Sequence, residues 1–365
     1  MKHTCLHTLV ALLALVLGSI ACGGPTATLP PSRPEVAAPT EEEQTPKPTH
    51  TPAPTVTPEP EGIHSGNVDQ VVELRVLPGS TTASTAVAYS PDGRYLASMG
   101  FDKVIRIWDP ATGEQLRTFS GHTDYGFVLT FSHDGRVLAS GAYDYTIRLW
   151  DPDTGDALDT FTINAWVNAL AFSPDDSEIV AGGQLNSALF VLDASSGEQM
   201  GTITGHPAQI TGGDYSSDGR LIASADDNGN VMISDAGSLD QVAVSGDALG
   251  ASIYSLFFSP DSKRLAAASA DGRVTVWDTE ALSPVAQWDA HPHQRASLAW
   301  SPDSALLLTG GDDGLAYLWN ASNGALLATF NPGQGAILNM AFAPDGRSFA
   351  TVGDDGTLHI FGLLE

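Results

Sequence analysis

The chain has 365 residues, a hydrophobic content of 42%, and 16 Lys+Arg against 43 Asp+Glu, a formal net charge of −27. A folded body of about 300 residues buries roughly 75% of its unfolded surface, and the acidic balance opposes nucleic-acid binding, which needs cations to neutralise phosphates. Its two cysteines, Cys5 and Cys22, both stand near the N-terminus, which excludes disulfides and thiolate chemistry from the body of the chain.

In chain order, Lys2 precedes the apolar run LVALLALVLGSIAC at 9–22, too short to span a membrane comfortably and suited to the apolar region of a signal peptide. Ser19-Ile20-Ala21-Cys22 resembles the bacterial lipobox, although Leu is usual where Ser19 stands. That resemblance implies that residues 1–21 are a lipoprotein-type signal peptide and that Cys22 becomes the lipidated first mature residue. The protein is then extracytoplasmic, lipid-anchored to the cell membrane or outer membrane. If Cys22 is incidental, it is secreted. Residues 22–69 are rich in Pro, Thr and Glu, as in TPKPTHTPAPTVTPEPEG. Such a segment buries too little apolar surface to offset chain entropy and is expected to be an extended, disordered tether.

From residue 70 the chain repeats itself. SPDGRYLASMGFDKVIRIWD at 90–109 returns as SHDGRVLASGAYDYTIRLWD at 132–151 and SPDSKRLAAASADGRVTVWD at 259–278. The phrase endings fall at Trp108, Trp150, Leu192, Ser234, Trp277, Trp319 and Phe361, at steps of 42 or 43 residues, giving seven units. Within a unit, short runs of Val, Ile, Leu and Ala alternate with turn chemistry. Ser90-Pro91-Asp92-Gly93 suits a type I turn. Further turns at Phe101-Asp102-Lys103 and Pro110-Ala111-Thr112-Gly113 predict strands at about 85–89, 95–100, 104–109 and 115–120. Sheets of this kind bury both faces by packing in a ring. The predicted class is all-β.

The units resemble the WD repeat through "GH" at 121–122 and 205–206, "LASG" at 138–141, and "WD" at 108–109, 150–151 and 277–278. The resemblance covers residues 70–365 and implies a seven-bladed β-propeller of four-stranded antiparallel blades. Glu73-Leu74-Arg75-Val76-Leu77-Pro78-Gly79 aligns with Gln115–Gly121, again 42 residues on. Residues 71–77 are therefore expected to supply the missing outer strand of the last blade and close the ring.

His122, Ser140, Asp144 and Trp150 recur as His291, Thr309, Asp313 and Trp319. A Ser/His/Asp set invites a hydrolase reading. Against it, the set occurs twice, and no G-x-S-x-G elbow exposes a serine. The WD-repeat resemblance implies instead a buried hydrogen-bonded line that pins a blade's strands. Other units hold fragments: Ser98, Asp102 and Trp108, with Ser80 at the His offset; His206, Ser224 and Asn228, with Ser234 in place of Trp. The third unit (Gly182, Leu192) and the fifth (Ala267) look weakest. His291-Pro292-His293 could ligate zinc, but no further ligand motif lies nearby. No catalytic residue, metal or cofactor is expected.

In WD-repeat proteins, residues beside the structural Asp and those opening the inner strands often face the rim where partners dock. The resemblance thus nominates Phe101, Tyr125, Tyr143, Trp166 and Leu185 as an apolar patch, and Asp227, Asp312 and Asp354 as an acidic one. The acidic set suits solvation, weak calcium binding or a basic peptide. The leading expectation is a monomeric, membrane-anchored scaffold that binds a protein or peptide partner in the cell envelope. The alternatives are a propeller enzyme of lactonase or quinoprotein-like type and a ligand- or carbohydrate-sensing ectodomain.

Overall fold

The computed structural model describes residues 61–185, 187–245 and 250–364. The signal peptide, Cys22 and most of the predicted tether lie outside the described residues.

The described chain forms seven four-stranded sheets in a ring. Blades are numbered in chain order from their inner strands. Blade one runs Ser84–Tyr89, Leu96–Gly100, Val104–Trp108 and Gln115–Ser120, each strand antiparallel to the next. Blade seven consists of Ile337–Phe342, Ser348–Gly353 and Leu358–Leu363, completed by Val71–Leu77. The closing strand pairs with its partner from Val71↔Leu363 to Leu77↔Leu358, as the repeat spacing predicts. His359 and Glu73 are 2.5 Å apart across this junction.

The folded unit also begins earlier than residue 70. Ile63 and Val68 are buried against a cluster containing Phe330, Phe342 and Phe361, and the Ile63 N–H donates to Gly346 O at 2.8 Å. The sequence there is polar and Pro-poor, and two apolar side chains are enough to seat it.

Burial follows directly from strand alternation between neighbouring sheets. Ala97, Met99, Ile105 and Ile107 of blade one pack with Leu129, Phe131 and Leu138 of blade two. Each such large side chain, fully buried, contributes about 1.5–3 kcal/mol. Outer strands such as Gln115–Ser120 remain mostly exposed.

In six blades the pairing of the first two strands slips by one residue, and blade six (Ala296–Trp300) is regular. A bulge leaves one residue unpaired and re-aims its side chain. The bulged residues are Thr85, Phe127, Asn168, Thr211, Tyr254 and Leu338, and all six line one mouth of the central channel.

Candidate binding rim and central channel

The repeated Ser/His/Asp/Trp sets form the hydrogen-bonded lines that the resemblance implied. In blade two the Trp150 indole N–H donates to Ser140 Oγ at 2.9 Å and the Ser140 hydroxyl donates to His122 Nε2 at 2.7 Å. His122 Nδ1–H then donates to Asp144 at 3.0 Å. Burial works to raise the Asp144 pKa, but bonds from His122, Thr146 and the Thr123 N–H outweigh it and hold the carboxyl well below its ordinary value. Blade six repeats the line through Trp319, Thr309, His291 and Asp313 at 2.8, 3.0 and 2.9 Å. Burial lowers the His291 pKa, only partly offset by Asp313, so the ring is neutral at pH 7. These side chains lie inside their blades, and among the described residues no group of three or more His, Cys, Asp or Glu could hold a metal ion.

Blade four departs from the expected pattern. The carboxylate that receives His206 Nδ1–H, at 3.0 Å, belongs to Asp226, not to the side chain of Asn228. Asp226 ends its strand, and the Asn230 side chain folds back to donate to both its oxygens at 3.0 and 2.9 Å. The local turn thereby swaps the acid two residues upstream. Ser234, at the tryptophan position, is buried with no hydrogen-bond partner for its hydroxyl. Asp227 follows the structural acid instead of preceding it. It is still exposed, and its carboxylate accepts from the Ser252 hydroxyl at 2.6 Å.

On the rim, four nominated aromatics meet through a residue that loop-based reading passed over. Tyr125 packs on Phe101 with ring centroids 4.7 Å apart, and Phe101 on Phe127 at 5.6 Å. Phe127 stacks on Tyr143 at 4.0 Å, and Tyr143 on Trp166 at 4.4 Å. The run crosses blades one to three. Tyr125 is 45% exposed; Phe101, Phe127, Tyr143 and Trp166 are half-buried. Phe127 lies within a strand, so only its one-residue offset from the regular alternation could have flagged it. Leu185 is 57% exposed and held at φ 77° in its loop, outside the ring stack.

The acidic set divides. Asp312 is bound by Arg295 at 3.0 Å, and that guanidinium lies 5.4 Å from the ring centre of Tyr254. Asp354 is exposed. These carboxylates are spread over separate blades, and Asp227 and Asp312 have partners of their own.

Phe101, Phe127, Tyr143 and Tyr254 line a cavity of about 230 Å³ at this mouth of the channel. A second cavity, of about 440 Å³, opens at the other end, and both have Val128, Leu170, Phe257 and Asn339 in their walls. The deeper layer carries one residue per blade: Ala88, Thr130, Ala171, Asp214, Phe257, Ala299 and Ala341. Asp214 stands alone there as an acid. Burial pushes its pKa up to about 7, against the N–H groups of Phe258 and Tyr215, which favour the carboxylate. The Phe258 bond is 2.8 Å and joins blade four to blade five.

Ring closure, a repeated strand-pinning line and a rim of loops around a channel define a closed repeat propeller. Seven successive matches to the WD domain, G-beta repeat pattern cover residues 72–109, 113–151, 155–188, 197–235, 244–278, 282–320 and 324–361. The chain belongs to the WD40 repeat family. Six of the seven matches run from the outer strand of one blade to the third strand of the next, and the third match stops at Ala188, just before Leu189–Asp193, so the repeat and the blade are offset by one strand. No curated protein matches the chain.

Proposed function

We propose that this protein is a protein-interaction scaffold held outside the membrane by lipid on Cys22, with residues 22–60 as the tether and the rim of blades one to three as the docking surface. WD40 propellers typically bind protein partners and are usually non-enzymatic. The observation that carries the reading is the unbroken aromatic run from Tyr125 to Trp166. Aromatic side chains at a partly exposed, preorganised surface are the residues that anchor protein interfaces. Phe127, Tyr143 and Trp166 spend their faces on one another, which favours packing against a partner's apolar side chain over stacking on a sugar ring. The net charge of −27 adds long-range attraction for a partner whose anchor is flanked by basic residues.

The test is partner capture by the intact anchored protein through proximity labelling, followed by affinity measurement. Phe101→Ala with Tyr143→Ala weakens the captured partner at least about tenfold, the effect of losing one hot-spot residue, while melting stays cooperative. Cys22→Ala moves the protein from the membrane fraction to the soluble fraction. Unaltered affinity in the double variant removes the rim from the reading; unaltered fractionation removes the anchor.

A further inference from the structure

We propose that the central channel binds a linear organic cation whose terminal amine or guanidinium group sits against Asp214. This site lies below the rim and does not rest on the docking reading above.

Three features carry it. First, Asp214 is an acid in a layer otherwise made of alanines, Thr130 and Phe257, with no cationic partner among the described residues. Its carboxylate accepts from the Phe258 and Tyr215 N–H groups, and the bond across the seam, from Phe258, could be accepted equally by a neutral asparagine, so the seam between the blades does not require a charge. Second, Asn168 Oδ1 and Thr211 Oγ1, at the mouth layer of blades three and four, are enclosed without a hydrogen-bond partner. Buried polar atoms are rarely left so, and both can accept from an N–H donor. Third, Thr211 and Asp214 are three residues apart on one strand, which places the two acceptor levels about 10 Å apart along the channel. Val128 and Leu170 line both cavities, and Phe257 shares the Asp214 layer, so the wall is apolar along this stretch. An aliphatic chain with N–H donors at its ends matches acceptors above, apolar wall between and carboxylate below.

The other charged groups near the channel are already engaged. Arg295 at the mouth is paired with Asp312, Asp227 accepts from Ser252, and His133 at the far end lies 3.0 Å from Asp176. Tyr254 shares the mouth, and Tyr89 and Tyr215 the far cavity. A carboxyl poised near neutrality makes the site pH-dependent with a definite sign: the cation binds the ionised form, so affinity rises with pH and levels off above about 7.

The probes are agmatine, a free linear cation, and the peptide acetyl-Gly-Arg-Gly-amide, which presents the same group as a side chain. Each is titrated calorimetrically into the full chain at about 0.15 M salt, where the Debye length of about 8 Å suppresses diffuse attraction to the acidic surface. Agmatine binding that weakens at least tenfold in Asp214→Asn, and that falls by about tenfold per pH unit below the plateau, supports the site. Stronger binding of agmatine assigns a free amine as ligand; stronger binding of the peptide assigns a partner's arginine. If Asp214→Asn fails to fold, the wild-type pH profile and Thr211→Val, with a severalfold loss expected, carry the test. Absence of binding by both probes, or affinity indifferent to pH and to both substitutions, overturns the proposal.

Discussion

In blade two, tryptophan, serine, histidine and aspartate form one hydrogen-bonded line from the core to the rim, whereas in blade three Leu192 stands at the tryptophan place and the strand register sets Ala181, one residue before the expected Gly182, at the serine place. The neighbouring blades nevertheless have the same strand order. Blade three fills the space with apolar contacts: Ala181 is fully buried in a cluster with Leu170, Phe172, Ile179 and Leu192. It also reaches back to blade two. The Asp176 carboxylate accepts the N–H groups of His133 and Asp134 at 2.7 and 2.9 Å. Blades five and six use the same device, with Ser262 accepting from the Asp218 N–H and Ser304 from the Asp261 N–H at 3.0 and 3.1 Å. A polar line is therefore one solution among several. Each of its bonds is worth only about 1 kcal/mol net, but once built, a missing member leaves buried groups unsatisfied.

The comparison can be broken most severely at blade seven, whose outer strand comes from the far end of the folded body. Deleting Val71–Leu77 strips that blade's edge and is expected to cost more than about 4 kcal/mol, the range of the most damaging changes. Calorimetry would show a large fall in Tm; an unchanged Tm would mean that closure contributes nothing. Next in size, Ser140→Ala removes the shared centre of the blade-two line and leaves His122 and Trp150 without their partner, for a loss of about 2 kcal/mol by urea denaturation. Ala267 already occupies the equivalent place in blade five, which predicts that the cost arises from the stranded partners and not from the alanine.

A smaller effect separates the blades by pH. His291 is held neutral because its folded pKa is depressed by burial. Its contribution is therefore present above the unfolded value of about 6.5 and lost as pH falls through the folded pKa. Protonating Nε2 also denies the Thr309 hydroxyl its acceptor. Indole exchange followed by NMR from pH 7.5 toward 5 should accelerate at Trp319 relative to Trp108, which donates to Ser98 at 3.0 Å with no histidine behind it. Equal acceleration at both would deny the histidine its role. The smallest change is a gain. Tyr145 occupies a left-handed turn at φ 66°, where blades five, six and seven place Gly272, Gly314 and Gly356. Tyr145→Gly should relieve strain worth about 1 kcal/mol, offset in part by chain entropy, and raise Tm slightly.

The ring was legible because its period, turns and blade lines are local properties repeated in sequence. Val71–Leu77 could be placed by simple offset from Gln115–Ser120. Asp226 could not, since choosing between it and Asn228 depends on how Asn230 folds back. Phe127 escaped because a bulge, and not a loop, turns it toward the axis. Asp214 escaped for another reason. A channel assembled from inner strands in seven blades leaves no linear motif, and "GGDYSSDG" shows nothing of the alanines that surround its first aspartate.

The closing strand also dictates an order of events. Blades one to six can each assemble from consecutive strands as the chain emerges, but Glu73 must wait for His359, 286 residues later. Bringing ends so far apart together costs about 5 kcal/mol in a flexible chain, a cost greatly reduced once the intervening blades are folded and hold the two edges close. Ring closure is then the final act of maturation. Until it happens Leu358–Leu363 offers an unpaired edge, the kind of template on which strands from another chain can add. A chaperone serving this protein would need to protect that one edge.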